Sequence, residues 1–597
     1  MREMDSLSVR VAGESGEGIV TVGDIIAWVA GTSGHWVYTF RTFPAEILGG
    51  HVVFQVRIGM EPVDSIGDDI DVVVALNQEA SDKHYRLIRD GGAMIYDSDV
   101  VSDAGLERDS VRLVGVPMNL LAKEIGVGAK AGKNLIMIGA VAQMLGMSHD
   151  TAEEVVIRRL GKRKELLEAN LLGLKTGYDW AEANVKASFD DLHLPQVARR
   201  DERLILTGNQ ALSMGALAAG LKFFAGYPIT PASDIMEFLA VELPRFGGVM
   251  VQAEDEMAAM AMCMGASFSG QRAMTATSGP GMALMLELLG HASMSEVPVV
   301  LVNIQRAGPS TGMPTKTAQA DLWMALYGGN DEAPRIVLAP TTVSDCFTQM
   351  VNALNMAERY QMPVVVLSDQ ALSSRLETIE PWELENLPRL ERVVADAPKD
   401  DEAYLRYKLT DDGISPMALP GTPGAYYTAE GLEHLESGAP NYEPEQHTIM
   451  MEKRWRKLET AYQEYRRWPD MWERFGADTP DVGVICWGAT EGAVREAVAR
   501  QVRRGRRVSA FVPKVLCPLP REELLDFVAG CKAVLVPEVN MRGQLAGALR
   551  SELGIDSYRL NKYAGLPFTP GEIEAKIDAL YEALGLETEE AVEAVVE

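Results

Sequence analysis

Along the chain, short apolar runs alternate with segments of helical periodicity in three blocks. In the first, to about residue 190, LSVRVAG, HVVFQVRIG, DVVVALN, GAMIYDS and VRLVGVP have the composition of strands. VGDIIAWVAG and NLIMIGAVAQMLG between and after them have that of helices. A polar linker, DDLHLPQVARRDERL, leads into a second block over 201–395, where RAMTATSG, VPVVLVNIQ, RIVLAP and MPVVVLSD alternate with helical segments such as MALMLELLGHASM. The pattern dissolves over 396–472 into a loop rich in Gly, Pro and Asp, followed by MMEKRWRKLETAYQEYRRW, which predicts a solvated connector helix. The last block, 473–597, resumes with DVGVICWG, EGAVREAVARQVRRG, RVSAFVP, AVLVPEVN and GQLAGALRSEL, and ends in an acidic tail, ETEEAVEAVVE. Strands alternating with helices predict three α/β domains, each a doubly wound parallel sheet.

A length of 597 residues allows three or four such domains. The net charge of −29 leaves no basic stripe to neutralise phosphates, which argues against nucleic acid as a partner. No segment approaches the length of a membrane span, and MREMDSLSVRVAG lacks the apolar region of a signal peptide, so no membrane partner and a cytoplasmic location are expected. Cys263, Cys346, Cys486, Cys517 and Cys531 are scattered without a C-x-x-C pair, and the eight histidines show no i, i+4 pairing. Core thiols are expected, with neither zinc nor an iron–sulfur cluster on this chain.

Four segments carry candidate chemistry. QAEDEMAAMAMCMGA places three acids at the lip of an apolar run. A helix start accounts for Glu254 and Asp255, whose charge suits the positive end of the dipole. It accounts less well for Glu256, which stands nearest the apolar run and must pair, protonate or destabilise the fold. GYPITPASD stiffens Thr230 between two prolines at the end of a strand, where open α/β sheets bind ligands, although a plain αβ turn would look the same. VNIQRAGPSTGMPTKT puts Arg306 at the end of a very apolar strand, where a guanidinium needs a carboxylate or phosphate to grip. GESGEG, with Gly13, Gly16 and Gly18, lies between a strand and a helix, the setting of a phosphate cradle. Its spacing is not G-x-G-x-x-G, however, and Glu14 and Glu17 oppose an anion. ATSGPG (276–281) is a further strand-end turn of small residues, and PEVNMRGQL (537–545) is expected to be structural.

Taken together, YPITPAS, the EDE ahead of an Ala/Met/Gly helix, ATSGPG and QRAGPSTGMPTKT resemble the alpha subunit of 2-oxoacid:ferredoxin oxidoreductases. The similarity is greatest to the form with a gamma domain fused ahead of alpha that acts on 2-oxoglutarate. RTFPAEILGGHVVFQVRI resembles the gamma domain, and GLEHLESGAPNYEPEQH and PEVNMRGQL extend the likeness over nearly the whole chain. The resemblance implies a gamma-like domain over 1–190, a thiamine diphosphate (TPP) pyrimidine-binding domain over 201–395, a linker and connector helix over 396–472, and a transketolase C-terminal-like domain over 473–597. It implies TPP shared with a beta subunit that carries the diphosphate and Mg²⁺ site and a [4Fe–4S] cluster. Coenzyme A would be co-substrate, ferredoxin the electron acceptor, and the assembly a dimer of alpha–beta heterodimers. Glu256 falls on the family's pyrimidine-activating glutamate, with Met257, Met260 and the alanines as its apolar surroundings. Thr230, Arg306 and Thr315 match positions that hold the substrate carboxylate, and Ser310 and Lys316 are candidates for a second carboxylate. Tyr227, Pro228, Ile229, Thr277, Ser278 and Gly279 would line the cofactor, and the gamma-like block, through Gly13, Gly16 and Gly18, would help hold coenzyme A.

The implied reaction is oxidative decarboxylation of 2-oxoglutarate to succinyl-CoA and CO₂, reversible in principle. Three alternatives stay open on sequence: the same chemistry on pyruvate, a branched-chain or an aryl 2-oxoacid; a non-catalytic scaffold binding a nucleotide; and a transketolase- or E1-like enzyme without iron–sulfur chemistry.

Overall fold

The computed structural model describes residues 6–44, 49–106, 108–127, 132–186, 188–193, 195–399 and 402–586. The acidic tail and part of the RTFPAEILGG motif lie outside the described residues. The chain forms two compact units, one of residues 1–207 with 374–381 and 569–571, the other of the remainder.

The first unit is built on an eight-stranded sheet in the order Arg112–Val116, Ile88–Asp97, Ile70–Ala75, Ser6–Glu14, His51–Gly59, Trp36–Thr42, Leu376–Ile379, Leu204–Thr207. The first four run parallel, as the alternation of strands and helices requires. The sheet also has an antiparallel half: His51–Gly59 lies between Ser6–Glu14 and Trp36–Thr42 and opposes both. The Trp36–Thr42 strand was not expected from the sequence. Helices Ile19–Thr32, Lys133–Met144, His149–Leu160 and Lys164–Asn184 share one apolar core with the sheet. Helices Lys133–Met144 and Lys164–Asn184 approach so closely that a Cβ at Gly139 would lie 2.0 Å from the Leu174 carbonyl oxygen.

The second unit holds two sheets. The larger runs Val515–Cys517, Ile336–Leu338, Pro363–Asp369, Val299–Gln305, Ala273–Thr277, Phe223–Gly226, Val249–Gln252, and only its first edge strand is antiparallel to its neighbour. VVLVNIQ and PVVVLSD are buried at every position, since a parallel strand covered by helices on both faces has no solvent side. The smaller sheet runs Trp472–Gly476, Val508–Pro513, Val482–Ile485, Ala533–Glu538, Tyr558–Asn561. The apolar core under the larger sheet continues into this last block through Ile485, Trp487, Phe511 and Leu545.

One expectation is corrected. The connector helix, Pro444–Tyr465, is not solvated: Met450, Lys453, Lys457, Ala461, Tyr462 and Tyr465 form a buried face. Its lysines reach a buried carboxylate, Glu296, and so behave as core residues.

Candidate functional site

The C-terminal ends of the parallel strands in the larger sheet bring the sequence candidates together. Strand Val249–Gln252 ends two residues before the three acids, which then diverge in role. Glu254 is exposed. Asp255 is the N-cap of helix Glu256–Phe268, accepting a hydrogen bond from the Ala258 N–H at 2.7 Å. Glu256, the first helical residue, turns inward and is only 7% exposed.

Its neighbour is the turn ATSGPG. Strand Ala273–Thr277 delivers Ser278 and then helix Gly279–Met294. A Cβ at Gly281 would lie 2.1 Å from Thr277 Oγ1, 2.7 Å from Glu256 Cγ and 2.8 Å from Glu256 Oε1, so glycine is what lets the carboxyl group sit there. No cationic side chain pairs with Glu256 among the described residues. The buried hydroxyls of Thr277 and Ser278 have no hydrogen-bond partner among the described residues. A buried carboxyl group beside two unpartnered hydroxyls at a turn of small residues makes a polar cradle that could hold a ligand.

Apolar cover for Glu256 comes from one face of its helix. Met260, Ala259 and Cys263 are buried, whereas Met257 is 49% exposed, correcting its place among the surroundings. The position after the first helical residue is rotated by about 100° and faces away. Met262 and, on the adjacent helix, Leu284 are also exposed, at 42% and 50%.

Arg306 follows strand Val299–Gln305 and is buried, its Nη1 donating to the Thr230 carbonyl oxygen at 2.7 Å. This joins the YPITP loop to the Arg306 loop. Tyr227, Pro228 and Thr230 are exposed and Ile229 half-buried, with helix Ser233–Glu242 starting two residues beyond Pro231. Beyond Arg306 the chain turns through Gly308–Gly312 and returns, Met313 N–H donating to Ala307 O at 2.8 Å. Ser310 is exposed at the tip with φ of 54°, while Thr315 and Lys316 are half-buried at the base. Gly565 packs on the stem of Lys316, and burial lowers that ammonium below its ordinary value.

Sequence reasoning missed what anchors this loop. Gln319 donates through Nε2 to Trp487 O at 2.7 Å, and its Oε1 accepts from Thr490 Oγ1 at 2.7 Å and Val539 N–H at 3.0 Å. Asn540 Nδ2 donates to Gln319 O at 2.9 Å, and Gln544 Nε2 to Ala320 O at 2.8 Å. PEVNMRGQL is therefore structural, as expected, and its task is to clasp the segment that follows Arg306. A polar pattern Q-A-D-L between two apolar stretches was the only signal available.

In the first unit, Gly13 lies within its strand, and Gly16 and Gly18 adopt the left-handed φ of 100° and 85°. Glu17 folds back over this turn, accepting from Glu14 N–H at 2.6 Å and Asn77 Nδ2 at 2.9 Å. Burial raises its carboxyl above the ordinary value. The turn's donor is thus taken by the chain's own carboxylate. Beside it opens a cavity of about 400 Å³ lined by Thr21, Lys133, Asn134, Arg159, Lys162 and Arg163. Lys133 is paired with Asp97 at 3.1 Å, and Arg159 lies over the Trp28 ring. No group of three or more His, Cys, Asp or Glu suited to a metal ion occurs among the described residues, and no described helix is long and apolar enough to cross a membrane.

Comparison with known proteins accounts for this arrangement. Residues 214–453 match the family description "Pyruvate flavodoxin/ferredoxin oxidoreductase, thiamine diP-bdg", residues 8–180 "Pyruvate ferredoxin/flavodoxin oxidoreductase", and residues 480–566 "Pyruvate:ferredoxin oxidoreductase core domain II". A 2-oxoglutarate oxidoreductase subunit of Mycobacterium tuberculosis is 32% identical, over 96% of this chain and 91% of that one. A 2-oxoacid:ferredoxin oxidoreductase alpha subunit of Saccharolobus solfataricus is 30% identical, over 96% and 98%. The solved structure of 2-oxoglutarate:ferredoxin oxidoreductase from Magnetococcus marinus, with 2-oxoglutarate, coenzyme A and succinyl-CoA bound, superimposes with a TM-score of 0.90 at 42% identity, covering 97% of this chain and 100% of that one. The fold, the matched domains and the near full-length relatives agree: this chain belongs to the 2-oxoacid:ferredoxin oxidoreductases, thiamine-diphosphate enzymes, as an alpha subunit.

Proposed function

We propose that this chain is the alpha subunit of a 2-oxoglutarate:ferredoxin oxidoreductase, forming succinyl-CoA and CO₂ from 2-oxoglutarate and coenzyme A while reducing ferredoxin. The observation that carries this reading is the likeness, at 42% identity over 97% of the chain, to an enzyme whose structure holds 2-oxoglutarate, coenzyme A and succinyl-CoA. The family descriptions name pyruvate, and the archaeal relative is named for 2-oxoacids at large, so pyruvate is the second reading.

The cradle fits the pyrimidine end of thiamine diphosphate: a buried carboxyl, two unpartnered hydroxyls, and glycines where a side chain would collide. When bound, the cofactor supplies the carbon nucleophile and electron sink that decarboxylation needs. Glu256 would hold a proton at a ring nitrogen, shielded from water by Ala259 and Met260. Tyr227, Pro228, Ile229, Thr277, Ser278 and Gly279 would line the ring. Arg306, fixed by Thr230, and Thr315 would receive the substrate carboxylate, with Ser310 and Lys316 available to a second. Coenzyme A would draw on the first unit, where the basic cavity beside Gly16 and Gly18 suits its phosphates.

The partner would be a beta subunit holding the diphosphate, Mg²⁺ and a [4Fe–4S] cluster, the whole a dimer of alpha–beta heterodimers in the cytoplasm. Met257 and Met262 on the helix that begins at Glu256, and Leu284 on the helix packed against it, are large apolar side chains left exposed, and we place the beta subunit over these helices. Leu284→Glu is expected to weaken co-purification of the two subunits by at least about tenfold, with the variant alpha chain keeping its thermal unfolding temperature.

The function is tested by co-expressing both subunits and measuring ferredoxin reduction with 2-oxoglutarate or pyruvate, with and without coenzyme A. Reduction that needs coenzyme A and prefers 2-oxoglutarate is expected. A preference for pyruvate would establish the second reading, and no activity with any 2-oxoacid in a cluster-loaded complex would remove both.

A further inference from the structure

Asp321 is a half-buried carboxylate beside the candidate site to which neither the sequence nor the comparisons give a task. It lies at the end of the clasped segment, before the short helix Leu322–Tyr327. Its Oδ2 accepts from Asn303 Nδ2 at 3.0 Å, and its N–H donates to Gln305 Oε1 at 3.0 Å, so carboxamides from the Arg306 strand fix both ends of the residue. A Cβ at Gly279 would lie 2.7 Å from Asp321 Oδ2. The carboxylate therefore sits over the first residue of helix Gly279–Met294, whose N-cap, Ser278, makes no side-chain cap. Burial raises the Asp321 carboxyl, and Asn303 and the Arg306 charge oppose that rise. In turn, Asp321, whose N–H is held by the residue before Arg306, bears on the Arg306 charge, and no ion pair joins the two among the described residues. Arg306 Nε has no hydrogen-bond partner among the described residues.

Capping a helix would use the charge but not its place beside Arg306. The carboxylate that Arg306 is read to grip is the one that leaves as neutral CO₂. Any cationic field that stabilises it before reaction, and less as the charge disperses, raises the barrier by the difference. A fixed anion near Arg306 lowers that field at ordinary Coulombic range.

Resting on the reading of Arg306 above, we propose that Asp321 is a positioning residue acting through Arg306: it offsets the guanidinium charge, so that the 2-oxoacid carboxylate is held loosely enough to depart. Its removal strengthens ground-state binding and slows the reaction together.

The test is steady-state kinetics on the assembled alpha–beta complex, with thermal unfolding as a control. Arg306→Gln is expected to raise KM for the 2-oxoacid; a wild-type KM there would overturn the Arg306 reading, and this inference with it. Asp321→Asn is expected to lower KM and kcat together, each by about three- to tenfold, and to do neither in the Arg306→Gln background. With Arg306 confirmed, an Asp321→Asn complex whose KM is unchanged or raised overturns the inference alone, as does the same fall in KM without Arg306. Should Asp321→Asn fail to assemble, Asp321→Ser, which keeps an acceptor for Asn303, is read by the same criteria.

Discussion

Glu256→Gln is expected to lower 2-oxoacid-dependent ferredoxin reduction by about two to four orders of magnitude, the range for a positioned proton-transfer group. Its thermal unfolding should barely move. The side chain makes no ion pair among the described residues, and glutamine has nearly the same volume against Gly281. The competing account, an acid in the first helical turn favoured by the dipole, is worth only about 0.3–1 kcal/mol and predicts a small loss of stability with activity intact. Asp255→Ala supplies the contrast. It removes the cap that accepts from Ala258 and should cost about 1 kcal/mol of stability. Gly281→Ala approaches the same group from the other side: the added methyl would collide with Thr277 Oγ1 and Glu256, so activity should fall although no titratable group is changed. A Glu256→Gln complex within about fivefold of wild-type activity, fully assembled and loaded with cofactor, would remove the proton-holding role on this scale.

The parallel strands and their ends were legible because each signal was local. Arg306 at the end of VVLVNIQ, and three acids ahead of an Ala/Met/Gly run, announce themselves within a dozen residues, and the structure places Arg306 against Thr230 as two strand-end loops of one sheet. What could not be read were contacts across long separations in sequence. The clasp between Gln319 and the Val539–Asn540 turn joins residues 220 and 221 positions apart, so neither segment alone shows that it is half of a site. GESGEG is ambiguous for another reason, since a glycine turn looks alike in sequence whether or not a side chain such as Glu17 takes one of its backbone donors. The connector helix escaped because hydrophobic patterning counts every lysine as solvated. A buried ammonium is invisible to it unless the carboxylate that compensates it is known.

That carboxylate, Glu296, leads to the largest expected effect on stability. Its two oxygens accept from Lys453 Nζ at 2.7 and 2.8 Å, Lys457 Nζ lies 2.5 Å away, and Arg406 Nη2 donates to its main-chain oxygen at 2.8 Å. All four side chains are almost wholly buried. Burial alone would raise the Glu296 carboxyl, but the surrounding cations hold it below the usual carboxylate range. Burial lowers both ammonium groups, that of Lys457 to about 7. Glu296→Gln keeps the shape and strands two lysines and an arginine without a counter-charge, which is expected to cost about 3–5 kcal/mol in chemical or thermal denaturation. The pH dependence identifies the cause. A lysine whose folded value is lowered holds fewer protons folded than unfolded, so the unfolded state is favoured until pH rises towards its own value near 10.5. Without Glu296, which raises both lysines, their folded values fall further. The deficit of Glu296→Gln should therefore be greatest in mildly acid solution, where wild-type Glu296 and both lysines are charged, and shrink as pH rises through about 7, where wild-type Lys457 also loses its proton. Lys457→Met in the same chain should recover part of it at pH 7 by removing one stranded charge. A deficit that is flat with pH, or that deepens in the double variant, would mean that Glu296 supports the fold through packing at its left-handed backbone position, where φ is 51°, and not through charge.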